Sequence, residues 1–274
     1  MAGLYEKDNR NVLRSESNGI QTGSRTPETI ESFLRRASEE TKTVQRRGTV
    51  DYAYKSVVPE DFTLNAKIAY DDLTSHGIPT EIIDGSLERN SAGFTTRQDT
   101  EGITAVDGGV FIRNDTKQAP LVLSGHEKTH SASRLYPEIY RPFHDAVFEN
   151  NLDIYSPQFT KLADRVIQAR FKTVVENGVE RPFDLATDYP KLYNEIEAIL
   201  GGYLNGDMEQ ARKYFSDWFN DWDSVVASWK AMDDGLKARA KSTPPQSGQF
   251  LGLPTEFPKP TLPDDDPLLR AAKG

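Results

Sequence analysis

Apolar residues recur every three to four positions in two segments of the N-terminal half of the chain, which is the spacing of an amphipathic helix. The first predicted helix spans residues 26–36 and starts with Thr-Pro, a favourable pair for the N-cap and the first turn. The second spans residues 59–76, after which Gly77 supplies a stop signal. The polar residues 42–48 between these helices are predicted to form a linker.

After Gly77 the apolar pattern shortens, which favours strands over helices. Residues 78–83 are predicted to form a short strand, followed by a polar loop over residues 84–90. Two further apolar segments, residues 103–106 and 110–112, flank the tripeptide Asp-Gly-Gly. Because a tight hairpin turn needs positive φ angles, this tripeptide predicts a β-hairpin.

The chain has helical periodicity from residue 115 to about residue 240. The predicted helices cover residues 116–135, 140–151, 157–175, 190–205 and 208–240. Because Pro is tolerated only in the opening turn of a helix, Pro120 favours a later start for the first of them. The order of a helix, a small antiparallel sheet and a helical C-terminal half predicts an α+β fold.

Two polar tails are predicted to flank a single folded domain. Residues 1–25 show no periodicity and residues 242–274 are rich in Pro, so both segments are predicted to be disordered. A short helix and linker then occupy residues 26–58, and one domain occupies residues 59–241. Only 36% of the residues are hydrophobic, which suffices for a packed core if the tails stay outside it.

Charge and cysteine content restrict the chemistry that is open to this chain. The net charge of −9 argues against a nucleic-acid binder, because phosphate binding needs a basic face. There is no Cys, so a metal has to be held by His and carboxylate side chains. No apolar leader and no apolar run long enough to cross a bilayer is visible, so we expect a soluble, cytoplasmic protein without a membrane partner.

The segment His126-Glu127-Lys128-Thr129-His130 carries the most specific chemical pattern in the chain. Residues four apart share one face of a helix, so both imidazoles can bind one zinc ion at about 2.0–2.1 Å. Glu127 follows His126 directly, so its side chain is turned away from the face that the two histidines share. This position favours a general base for a zinc-activated water over a third ligand. The alternative interpretation is an amphipathic helix whose His and Glu side chains only face solvent.

This segment resembles the active-site helix of the zincin metallopeptidases, which it matches at His126, Glu127 and His130. Over residues 78–205 the predicted order of strands and helices is similar to that of zincins, although only a few residues match the sequence motif. It implies a zincin-like fold with one Zn²⁺ per chain that hydrolyses peptide bonds of a protein or peptide substrate. It also implies that the strand Val110–Arg113 is the sheet edge that pairs with an extended substrate.

A catalytic zinc site needs a third protein ligand. The metzincin branch of the family has Gly and His at the positions that Ser133 and Tyr136 occupy here, so that branch is excluded. His144 and Glu138 lie nearby in sequence, but prolines interrupt the helix around them, which disfavours both. The resemblance therefore favours the gluzincin branch, whose third ligand is a Glu on a later helix.

Glu195 is the favoured third ligand, because the small residues Ala198 and Gly202 share its helix face and permit close packing. Glu197 is the alternative, since its Glu-Ala step resembles another gluzincin subgroup. Residues two apart point to opposite sides of a helix, so only one of the two can bind the metal. Many gluzincins place an Asp four residues after the ligand to orient the first His, and Ile199 stands there in this chain.

Two questions remain open at the level of sequence. Tyr189, Tyr193 and Tyr203 lie close in sequence to the presumed ligand. One of them donates a hydrogen bond to a developing oxyanion, or all three are core residues.

The competing function is a zincin-fold binding or structural module without turnover, part of a larger phage or mobile-element protein. Glu127 favours the enzyme, because a binding module has no need of a base. The sequence indicates neither the oligomeric state nor the cleavage specificity.

Overall fold

The computed structural model describes residues 29–39, 42–47, 50–90, 101–149, 156–170, 173–176 and 179–242. The predicted N-terminal tail, and all but the first residue of the predicted C-terminal tail, lie outside the described residues. The strands are β1 (Thr43–Arg47), β2 (Val50–Ser56), β3 (Thr80–Asn90), β4 (Gly102–Thr104), β5 (Val110–Arg113), β6 (Thr173–Glu176) and β7 (Val179–Pro182). The α-helices are α1 (Ile30–Glu39), α2 (Leu64–Ser75), α3 (Pro120–Leu135), α4 (Pro137–His144), α5 (Pro157–Arg170), α6 (Leu185–Gly206), α7 (Met208–Phe215) and α8 (Trp222–Ser242). No helix among these is both long and apolar enough to cross a membrane.

Five of the described strands form one sheet in the order β1-β2-β3-β5-β4. The predicted hairpin is confirmed, since β4 and β5 pair antiparallel around the Asp-Gly-Gly turn. The α+β class is also confirmed, but the sheet is mixed, because β3 and β5 run parallel. A hairpin signal specifies only its own two strands, so it does not determine how the hairpin joins the rest of the sheet.

Two polar segments are strands in the structure. Residues 42–48, predicted as a linker, contain β1, which pairs along its whole length with β2. Arg47 at its end is buried, with its guanidinium 2.8 Å from Glu81 and over the ring of Phe111. Residues 84–90, predicted as a loop, continue β3. The apolar pattern did not predict these strands, because pairing with β2 and ion pairs such as Arg47 with Glu81 and Lys42 with Glu88 stabilise them.

The C-terminal half contains a hairpin and a break that periodicity did not predict. The helix α5 ends at Arg170, and β6 then pairs antiparallel with β7. The segment predicted as one helix over residues 208–240 is divided by a turn at Ser216–Trp218. Asp221 then accepts a hydrogen bond from the backbone N–H of Ser224 (3.0 Å), which favours a new helix start.

The helix α3 lies between the two halves of the fold. Its residue Leu123 packs with apolar side chains of α2, β3 and β5. Further along, Ala132 joins a second core that includes Phe143 of α4, Leu200 of α6 and Trp229 of α8. The position of α3 is therefore determined by both cores.

Lys128, also on α3, is fully buried between helices. Its ammonium nitrogen lies 2.7 Å from Asp233 on α8 and 3.2 Å from Asp72 on α2, and it donates to the Asn205 side chain on α6 (3.0 Å). His76 lies 2.7 Å from the same oxygen of Asp233. Because a charge left unpaired inside a protein is costly, this cluster restrains α3 against three neighbouring helices.

We expect the Asp233→Ala variant to lose about 3–5 kcal/mol of unfolding free energy at pH 7, because it leaves Lys128 without its nearest carboxylate. Although burial acts to raise it, hydrogen bonds from His76 and Lys128 hold the pKa of Asp233 well below its usual range. The stabilisation is therefore present above the ordinary Asp pKa of about 3.9 and is lost as the pH falls below it. Urea denaturation between pH 7 and pH 3 should show that the loss of unfolding free energy in the variant, relative to the wild type, becomes smaller as the pH falls.

Asp234→Ala, at an exposed neighbouring position, is the control. An equal loss of unfolding free energy in that variant would contradict the role of Asp233.

Candidate metal centre

The helix α3 presents the two motif histidines on one face. It begins at Pro120, as the position of that proline favoured, and residues 126 and 130 follow one turn apart. The Nε2 atoms of His126 and His130 are 3.2 Å apart, and the two rings meet edge to face with centroids separated by 4.8 Å. Both imidazoles thus direct one nitrogen toward a common point.

The helix α6 adds the third side chain. One carboxylate oxygen of Glu195 lies 3.4 Å from Nε2 of His130, and the other lies 3.6 Å from Nε2 of His126. The ligand atoms of the three residues all lie within 4.8 Å of one another. The structure therefore brings together the two motif histidines and the favoured glutamate, although Glu195 follows His130 by 65 positions in the sequence.

The separations suit a small tetrahedral cation. In a zinc site with bonds of about 2.0–2.1 Å, neighbouring ligand atoms lie about 3.3 Å apart. The two histidine Nε2 atoms are 3.2 Å apart, close to this value, and each of them has a different oxygen of the Glu195 carboxylate within 3.6 Å. Two imidazoles and one carboxylate form the donor set of a catalytic zinc site, which keeps its fourth position for water or substrate. The residues present therefore fit a zinc ion.

Glycines allow α6 to come this close to α3. A Cβ atom at Gly202 would lie 2.7 Å from the carbonyl oxygen of Val122, and one at Gly206 would lie 2.5 Å from the Val122 nitrogen. On the opposing helix, a Cβ at Gly125 would lie 2.7 Å from the carbonyl oxygen of Gly201. The predicted stripe of small residues is thus part of a wider contact that includes both helices.

Glu197, the alternative ligand, lies elsewhere. Its side chain accepts hydrogen bonds from the Tyr140 hydroxyl and from Nδ1 of His144 (2.9 Å). It does not belong to the converging group, because two residues along a helix turn the side chain by about 200°. His144 likewise contacts Glu197 rather than the other two histidines.

The two histidines of the centre differ in proton affinity. Burial lowers the pKa of His126, and the Glu195 charge offsets this only in part. Although burial acts to lower it, a hydrogen bond and the negative charge of Glu195 hold the pKa of His130 above its ordinary value. A cation that binds at this centre therefore competes with protonation of His130.

Glu127 is buried beside this centre, with 3% of its surface exposed. The hydroxyl of Thr104 donates to its Oε2 atom (2.6 Å). Its Oε1 atom lies under Gly102, where a Cβ would approach to 2.8 Å. The strand β4 therefore positions the carboxylate of Glu127 through one hydrogen bond and one close backbone contact.

The strand β4 is also the edge of the sheet on this side. The predicted edge strand, Val110–Arg113, is internal, because it pairs with β3 on one side and with β4 on the other. The hairpin signal predicts that two strands pair, but it does not show which one lies outermost. The strand next to the metal centre is therefore Gly102–Thr104.

Sequence reasoning missed Asn194, which precedes the third ligand. Its side-chain oxygen lies 2.6 Å from Nδ1 of His130, and its nitrogen donates to the Ser133 hydroxyl (3.2 Å). A histidine that binds metal through Nε2 commonly donates its other N–H to such an acceptor. Its only sequence signal is that it precedes a candidate ligand, because a single Asn forms no motif with residues distant in sequence.

The three tyrosines near Glu195 all make aromatic contacts. Tyr203 packs on Tyr214 and Phe215, and Tyr193 stacks on Phe148 with centroids 4.2 Å apart. Tyr189 meets the edge of Tyr193. These contacts favour the interpretation of the tyrosines as core residues.

No family model matches this chain, and comparison with curated proteins and with solved structures finds no similar protein.

We expect Gly202→Ala to weaken metal binding by about tenfold or more, because the added methyl group pushes α6, and with it Glu195, away from α3. Zinc affinity measured by competition with a chromophoric chelator tests this expectation. Gly235→Ala in α8 is the matched control, since a Cβ there meets only a methyl group of Ile139 at 3.0 Å. Equal zinc affinities of the two variants would contradict a role for the close helix contact.

Proposed function

We propose that this protein is a zinc-dependent metallopeptidase in which His126, His130 and Glu195 hold the metal and Glu127 is the general base. The observation that carries the proposal is the convergence of the three ligand side chains within 4.8 Å of one another. A site of two histidines and one carboxylate keeps an open coordination position, as hydrolytic zinc sites do and structural ones do not. The carboxylate next to the first histidine then supplies the base.

Each residue of the centre has a distinct task in this proposal. When bound, zinc lowers the pKa of a water ligand toward neutrality and polarises the scissile carbonyl. Glu127 accepts the proton that the attacking water loses and delivers it to the departing amine. The hydrogen bond from Thr104 restrains rotation of the Glu127 carboxylate. The strong burial of Glu127 limits its contact with bulk water.

The position of β4 supports a peptide substrate in an extended conformation. This strand is the edge of the five-stranded sheet, so one side of its backbone is not paired with another described strand. It also contacts Glu127 through Gly102 and Thr104. A peptide that adds to this edge as a further strand brings its backbone carbonyls close to the general base.

The ligand assignment predicts how zinc content responds to substitution. His126→Ala or His130→Ala should abolish stoichiometric zinc, because two protein ligands remain where three are needed. Glu195→Gln should weaken zinc binding far more than Glu197→Gln, a substitution of the same kind outside the ligand group. Atomic emission of purified protein and chelator competition provide the measurements. Stoichiometric zinc in the variant that lacks both histidines would refute the site.

The general-base assignment predicts that Glu127→Gln impairs chemistry without impairing assembly. Gln has nearly the same volume and still hydrogen-bonds, but it cannot accept the proton. Zinc content and thermal stability should stay close to those of the wild type, while the hydrolysis rate falls by a factor on the order of 10²–10⁴. A peptide cleaved by the wild type, selected from a random library, serves as substrate.

Two other results of this experiment change the proposal. Equal cleavage by the wild type and the Glu127→Gln variant would show that the mechanism is wrong. A wild type that holds stoichiometric zinc but cleaves no peptide of a broad library would favour the binding or structural module instead.

A further inference from the structure

Ser133 closes a ring of hydrogen bonds around the second metal ligand. It lies on α3 three residues after His130, and its hydroxyl donates to the backbone carbonyl of His130 (2.8 Å). The side-chain nitrogen of Asn194 on α6 donates to the Ser133 oxygen (3.2 Å). The side-chain oxygen of Asn194 lies 2.6 Å from Nδ1 of His130. These hydrogen bonds therefore connect both the carbonyl and the imidazole of His130 to the same pair of polar side chains.

The backbone carbonyl determines the direction of every bond in this ring. A carbonyl oxygen only accepts, so the single hydrogen of the Ser133 hydroxyl is directed toward it. The Ser133 oxygen can then only accept from Asn194, which places the amide nitrogen of Asn194 on that side. The amide oxygen consequently faces the imidazole, and Nδ1 of His130 has to meet it with a hydrogen. This arrangement leaves the lone pair of Nε2 for a metal ion.

The reversed orientation of the Asn194 amide would have the opposite consequence. With the amide nitrogen toward His130, Nδ1 would have to accept, so the hydrogen of the neutral ring would lie on Nε2, where a metal cannot bind. The amide oxygen would then face Ser133, whose hydroxyl could donate to it only by giving up the backbone carbonyl. The two ends of an amide have nearly the same shape, so the hydrogen bond from Ser133 to the carbonyl is what favours the metal-binding orientation.

We propose that Ser133 is a positioning residue that determines the orientation of the Asn194 amide and thereby holds His130 in the tautomer whose Nε2 lone pair faces the metal. This inference rests on the proposed metal site. Carboxylates and backbone carbonyls, which commonly accept from zinc-bound histidines, have only acceptor atoms to offer. An amide carries a donor as well, so a further partner has to decide which end of Asn194 faces His130.

The test compares the zinc affinity of variants of the full chain by chelator competition. Ser133→Ala should lower the affinity about two- to tenfold, the value of one ordinary hydrogen bond. Ser133→Thr keeps the hydroxyl and should bind zinc as the wild type does. Ser228→Ala is the matched control, because Ser228 in α8 makes the same bond to the carbonyl three residues earlier (2.8 Å) but lies outside the ligand group. Equal zinc affinities of Ser133→Ala and Ser228→Ala would overturn the inference.

A second background separates this role from a general effect of Ser133 on α3. In the Asn194→Asp variant both side-chain oxygens accept, so His130 meets an acceptor whichever way the carboxylate turns. Adding Ser133→Ala to Asn194→Asp should therefore lower the zinc affinity by no more than about twofold, the scatter expected of uncoupled sites. If Ser133→Ala lowers the affinity by the same factor with Asn or with Asp at position 194, Ser133 only supports the helix and the inference is overturned.

Nuclear magnetic resonance reads the tautomer itself. The chain has four His residues, so long-range proton–nitrogen spectra of ¹⁵N-histidine-labelled, zinc-loaded protein can resolve each ring. His130 of the wild type should show a slowly exchanging Nδ1–H proton, whose exchange should accelerate in Ser133→Ala and return to the wild-type rate in Ser133→Thr. Unchanged exchange in Ser133→Ala would overturn the inference while leaving the metal site intact. A wild type that binds no zinc would instead overturn the proposed metal site, and the inference with it.

Discussion

The close contact between α3 and α6 is the constraint on which the candidate centre depends. The carboxylate of Glu195 reaches the two imidazoles across a contact in which the helix backbones lie closer than ordinary side chains would allow. Gly125 on α3 and Gly202 and Gly206 on α6 provide that approach, because a Cβ at each would collide with the opposing backbone. The metal ligands and the glycines therefore belong to the same contact between α3 and α6.

Different faces of the buried helix α3 make different contacts. His126 and His130 face α6 and the candidate metal site, whereas Lys128 joins the carboxylates of Asp72 and Asp233. The ion cluster restrains α3 against α2 and α8. The histidines can then keep their geometry, because a rigid support costs little reorganisation when a ligand binds.

Polar side chains next to the site are arranged by the surrounding structure rather than by the motif. Thr104 reaches Glu127 from the sheet edge, and Asn194 reaches His130 from the turn of α6 that carries the third ligand. Each makes one hydrogen bond to the side chain of its motif residue, and that bond restrains an orientation that the motif residues cannot set for themselves. Residues of this kind have no characteristic spacing, since their partners are distant in sequence.

Local pattern alone determined the α+β class, the hairpin at β4 and β5, and the helix that carries His126, Glu127 and His130. These features depend on helical periodicity, turn conformation and side-chain spacing within one element, all of which are properties of neighbouring residues. The preference for Glu195 over Glu197 also drew on the resemblance to the gluzincins. Only the tertiary structure decided that β1 is a strand, that β4 rather than β5 is the sheet edge, and that Asn194 orients His130. These features depend on pairing between segments that are distant in sequence. The free energy of such pairing depends on the residues of both segments, so it cannot be predicted from either segment alone.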